Sequence, residues 1–81
     1  MKLVNIGYSN MVSVSKIVAV VSPDSSPIKR AILDARADKT LIDASYGRKT
    51  RAALFTNSGQ LILSALTTET IAERINEIED E

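Results

Sequence analysis

A chain of 81 residues, 44% of them apolar, makes one domain that buries about 60–65% of the surface its unfolded form exposes. Cysteine and histidine are both absent, which excludes disulfides, Cys- or His-ligated metal sites, and Ser-His or Cys-His nucleophilic pairs. Ten basic and ten acidic residues cancel, but Met1–Leu66 holds nine Lys or Arg against four Asp or Glu (net +5), while Thr67–Glu81 holds one against six (net −5).

Binding follows the local field and not the total charge, so a basic body points to an anionic partner even in a neutral chain. The small aliphatic core favours self-association. The start of the chain lacks a basic segment, an apolar run and a small-residue cleavage site, and the longest apolar run, Ile17–Val21, falls far short of the roughly 20 residues a bilayer needs. The expectation is a cytoplasmic protein with no membrane contact.

Leu3-Val4-Asn5-Ile6 reads as a first strand ended by Gly7, followed by a turn at Tyr8-Ser9-Asn10. Met11–Ser15 alternates apolar and polar residues, as a short strand or an extended loop does. Lys16 opens the strand Ile17–Val21, whose unbroken β-branched run predicts burial on both faces. Lys16 itself is either a solvated strand end or part of an anion site.

Ser22–Pro27 signals a helix start: Ser26 is placed to cap and Pro27 suits the first helical position. The helix is expected to reach about Lys39, with Ile28, Ile32, Leu33 and Ala35 on one face, and Arg30 and Asp34 at pairing distance. A nucleotide pocket at this start is disfavoured, because the loop has no glycine and puts Asp24 where a phosphate would sit. Strands follow at Thr40–Ser45, Thr50–Thr56 and Gln60–Leu66, the last two joined by a turn at Asn57-Ser58-Gly59. Asp43 is an isolated carboxylate in its strand, for which pairing with an arginine is the leading explanation.

Thr67 or Thr68 caps a second helix over about 68–79, with Ile71, Ile75 and Ile78 on its inner stripe. Its acidic end, Glu79-Asp80-Glu81, opposes the helix dipole and is expected to fray. The class is α+β, a single domain of about five strands and two helices.

The stretch Ile42–Arg51 concentrates one property. A strand reaches Gly47, which allows a positive-φ turn, and Arg48, Lys49 and Arg51 follow within four positions. Two readings stand: a solvated hairpin tip, or a site for an anionic polymer. No nucleophile, base and oxyanion group assemble anywhere in the sequence, so no catalytic residue, metal, cofactor or small-molecule substrate is assigned.

Several collinear segments together resemble the RemA family of bacterial regulators of extracellular-matrix genes. They are Asn5-Ile6-Gly7, Ser22-Pro23, Ser26–Arg30, Asp34-Ala35-Arg36, Leu41–Ala44, Tyr46-Gly47-Arg48 with Thr50-Arg51, and Ile62–Ala65. The resemblance spans roughly residues 3–75. It implies a DNA-binding transcriptional activator of biofilm-matrix operons, a LytTR-like fold, and a closed homo-oligomeric ring of about eight protomers. The family's DNA-binding positions fall on Lys16, Arg48 and Lys49. Lys16 and Lys49 stand where arginine is expected, which keeps phosphate attraction but loses the bidentate fork. The position of Pro27 is also associated with function, and a helix-start role accounts for it equally.

The candidate DNA-contacting set is thus Lys16, Arg48, Lys49, Arg51, Lys29 and Arg30, with duplex DNA and further copies of the chain as partners and the nucleoid as the location. Contact by turns and strand ends implies recognition through the DNA backbone and its deformability. The acidic helix is expected away from the DNA or at a subunit boundary. Two rivals use the same cations: an RNA-binding module, for which only Tyr8, Tyr46 and Phe55 are available to stack, and an assembly protein whose cations pair with Asp43 or a neighbour's acidic tail.

Overall fold

The computed structural model describes residues 1–78, so the expected fraying of Glu79-Asp80-Glu81 lies outside the described residues. Six strands and two helices form an α+β domain in three layers. Their order is β1 (Leu3–Asn5), β2 (Met11–Ser13), β3 (Ile17–Val21), α1 (Ser26–Ala37), β4 (Leu41–Asp43), β5 (Ala52–Thr56), β6 (Leu61–Ser64) and α2 (Thr68–Asn76). A single 3-10 turn, Val14–Lys16, joins β2 to β3.

The central sheet has the order β3-β5-β6-β4, with β5 antiparallel to both β3 and β6 and β4 parallel to β6. β5 and β6 lie in the middle and are covered on both faces, so their residues are apolar without alternation. Ala52, Leu54 and Ile62 meet the β1–β2 hairpin and α2 through Val4, Ile6 and Ile71. Ala53, Leu61 and Leu63 meet α1 through Ala35, Ile28 and Ile32. Ser64 is the polar member of the middle strands. Its buried hydroxyl donates to the Ile6 carbonyl at 2.7 Å and accepts the Leu66 N–H at 3.0 Å, which fastens the hairpin layer to the sheet.

Several expectations are corrected. The β-branched run Ile17–Val21 is an edge strand with a bulge between Ile17 and Ala19, and Val18 is 68% exposed. β5 and β6 hold the two middle places and are the strands buried on both faces. Ser25, and not Ser26, occupies the cap of α1, without a side-chain bond, and Pro27 is the second helical residue. Its missing N–H still falls among those that have no partner inside the helix. α1 stops at Ala37, two residues before Lys39, because Asp38 caps it and Lys39 turns to φ 62°. Thr67 caps α2 by accepting the Thr70 N–H at 3.2 Å, and that helix ends at Asn76. Among the described residues no helix is long and apolar enough to cross a membrane.

Candidate nucleic-acid interface

Strand directions divide the connections between the two ends of the sheet. One end collects the residues after β3, β4 and β6 and before β5; the other collects those before β3, β4 and β6 and after β5. Residues 44–51 lie at the first end and do not form a hairpin. β4 and β5 both pair with β6 and not with each other, so this segment arches over the C-terminal end of β6. The arch is tied at both feet, with the Ala44 N–H donating to the Leu63 carbonyl and the Arg51 N–H to the Ser64 carbonyl, each at 2.9 Å. The strands it links are about 10 Å apart, while seven residue steps reach about 23 Å, so the surplus chain projects outward.

That surplus is shaped by a tight turn. The Arg48 N–H donates to the Ser45 carbonyl at 3.0 Å, and Tyr46 and Gly47 have φ of 57° and 74°, the signs of a type I′ turn. Ser45 is buried, and its N–H and hydroxyl both donate to Asp43 Oδ1. Asp43 therefore serves the turn, and the expected arginine partner is corrected to Ser45. These two bonds, the hydroxyl first, lower the Asp43 carboxyl below its ordinary value; burial works against them and the Arg36 charge adds the smallest share.

A folded-state value below the unfolded one means that this stabilisation is complete above the ordinary value of 3.8 and is lost as pH falls through the lowered one. Asp43→Asn keeps an acceptor for Ser45 and removes the titration. Its thermal midpoint is therefore expected to fall less than that of the wild type between pH 5 and pH 2, as melting curves will show. The change will be modest, because Asp43 is exposed and water screens its interactions.

A second turn faces the first. The Asn10 N–H donates to the Gly7 carbonyl at 3.0 Å, with Tyr8 and Ser9 at φ of 52° and 65°. Tyr8 and Tyr46 hold the same place in their respective turns and stack, with ring centroids 5.0 Å apart and planes 15° from parallel. Asn10 Nδ2 also reaches the Ala44 carbonyl at 3.5 Å. Gly7, at φ 107°, stands where a Cβ would come within 3.3 Å of Leu66 Cγ, so this turn needs glycine at its first position. Sequence patterns did not bring the turns together; the signal available was a tyrosine in the middle of each.

Arg48, Lys49 and Arg51 are all exposed, and none makes an ion pair with a described residue. Lys49 and Arg51 line a cleft of about 230 Å³ together with Asp24, Thr67 and Glu69. The acidic helix therefore begins beside the basic arch and not away from it. Lys29 and Arg30, in the first turns of α1, share this end of the sheet, and Arg30 pairs weakly with Asp34 at 3.8 Å.

Lys16 does not join them. Its carbonyl accepts the Asn57 N–H just beyond β5, six strand steps or about 20 Å from Arg51. The chain thus presents two basic points at opposite ends of its sheet. Arg74 is committed to the fold, donating from Nη1 to the Asn5 carbonyl at 3.0 Å.

Residues 3–75 match the RemA-like family, described as Extracellular matrix regulatory protein A-like. The chain belongs to the RemA-like family. A relative from Dictyoglomus thermophilum is 64% identical over 75 residues, covering 93% of this chain and 88% of its own. One from Acetivibrio thermocellus is 54% identical across 100% of this chain and 87% of its own. Both carry the name "Putative regulatory protein". This RemA-like chain is accordingly a regulatory protein, and its arch is the part whose chemistry is left over once the fold has been accounted for.

Proposed function

We propose that this RemA-like protein is a DNA-binding transcriptional regulator of biofilm-matrix genes, without catalytic activity, that acts in the cytoplasm at the nucleoid as a closed homo-oligomeric ring. The observation that carries the reading is the arch itself. Arg48, Lys49 and Arg51 project from a segment tied to β6 at both feet, with no ion-pair partner among the described residues. Unpaired cations release condensed counterions when they meet DNA, giving weak and salt-sensitive contacts per protomer. A ring repeats those contacts, and avidity then builds the affinity.

Two further features support assembly. The edges β3 and β4 are both open, with Val18 and Ile42 exposed. Lys16 lies about 20 Å from the arch, a span over which a duplex carries about a dozen phosphates. Repetition around a ring, of about eight protomers by family resemblance, provides many such pairs of points.

Mass determination in solution, with and without a duplex and over a salt series, tests the reading. The expected result is an oligomer whose log affinity falls linearly with log salt. A monomer without salt-dependent binding sinks both the ring and the DNA role. The exposed Tyr8–Tyr46 stack supplies the aromatic surface that a second reading, single-stranded RNA, requires, although one stacked pair falls short of the successive platforms such ligands use. Competition of duplex DNA against single-stranded RNA in a gel shift separates the two.

A further inference from the structure

We infer that the stacked tyrosine pair is part of the duplex-binding surface: Tyr46 packs its open face on a deoxyribose next to the phosphate that Arg48 holds, and Tyr8 is its positioning residue. This rests on the DNA reading above and assigns a non-electrostatic contact that the cations do not supply.

Tyr46 is 76% exposed although it is a large aromatic side chain, and one of its ring faces is covered by Tyr8. The opposite face is turned outward at the tip of the arch, two residues before Arg48. Its backbone sits at φ 57°, a left-handed conformation that costs a non-glycine residue free energy. Tyr8 bears the same cost at φ 52°. Stacking offsets part of that cost and so helps to hold both turns in shape without burying either ring.

A ring face held rigid before binding loses little conformational freedom when it meets a sugar. The amphipathic phenol suits that place, with the ring against the apolar sugar face and the hydroxyl toward water or phosphate. Single-stranded ligands use successive aromatic platforms along a groove. Here the exposed rings form a single stacked pair, and Phe55 is packed with the α1 cluster. One platform beside a cation suits the duplex backbone better than a run of unstacked bases.

The test is a titration of fluorescent duplex DNA over a salt series, with the mass of each assembly measured alongside. Tyr46→Ala is expected to bind about tenfold more weakly with an unchanged salt slope, because no phosphate contact is lost. Tyr46→Phe keeps the ring and recovers most of that loss. Tyr8→Ala weakens binding with the same unchanged slope, and Tyr8→Phe recovers it.

Tyr46→Ala binding the duplex as tightly as wild type overturns the inference and leaves the DNA reading intact. A fall in salt slope, or loss of the assembly, in Tyr46→Ala also overturns it, assigning the ring to a phosphate contact or to a subunit interface. Wild-type protein that ignores duplex but binds single strands through Tyr46 overturns both the inference and the reading.

Discussion

Arg48→Glu is expected to weaken duplex binding by about 100-fold or more near 0.1 M salt, while the mass of the assembly stays unchanged. Each lost phosphate contact removes about 0.9 from the slope of log affinity against log salt, and a reversed charge adds repulsion on every protomer that meets the DNA. In the proposed ring the effect is multiplied, because the same side chain recurs in each copy. Arg48 is exposed, and its backbone N–H alone serves the fold, through the Ser45 carbonyl. The substitution therefore leaves the turn and the core in place. Unchanged DNA affinity with a dissociated assembly would identify the arch as a subunit interface and defeat the DNA reading.

Ile71→Ala produces the largest expected loss of stability. Ile71 is fully buried at the centre of α2, in one cluster with Val4, Ile6, Leu54 and Ile62. Truncation leaves a cavity between α2 and the hairpin layer and costs about 2–5 kcal/mol. A domain of this size has about 4–12 kcal/mol in total. The thermal midpoint is expected to drop by about 10–30 °C, read by circular dichroism, and Ile71→Val by only a small part of that. A fall of a degree or two for Ile71→Ala would mean that α2 contributes little to the cooperative fold.

Much of this arrangement was legible in the residues. Ile71, Ile75 and Ile78 marked the inner stripe of α2, and all three pack in the cluster on that face. Asn57-Ser58-Gly59 marked the β5–β6 hairpin, and Thr56 and Gln60 bond across it. What local patterns do not carry is strand order. The run from Ile42 to Arg51 has the composition of a hairpin tip, and only the parallel pairing of β4 with β6 turns it into an arch. The β-branched residues of β3 match a middle strand equally well, yet the strand lies at an edge with Val18 outward.

The site divides along the same line. Arg48, Lys49 and Arg51 are neighbours in the chain, so their grouping was visible from the start. The separation of Lys16 from them depends on the antiparallel register of β3 and β5. Asp43 meets Ser45 two residues on, a local turn bond in place of the expected arginine pairing. The stack of Tyr8 on Tyr46 joins residues 38 positions apart through two turns of the same kind, and no periodicity reports such a meeting.

The two feet of the arch also set how the protein can be controlled. Because Ala44 and Arg51 donate to consecutive carbonyls of β6, detaching the feet breaks two hydrogen bonds to a middle strand of the sheet. Their amides are expected to exchange more slowly than those of the turn between them. Order–disorder switching, a common device in regulatory loops, is disfavoured at these anchors. Control is then expected to act on what surrounds the arch: on assembly of the proposed ring, on ions or ligands that compete for its cations, or on chemical change to the exposed side chains between its feet.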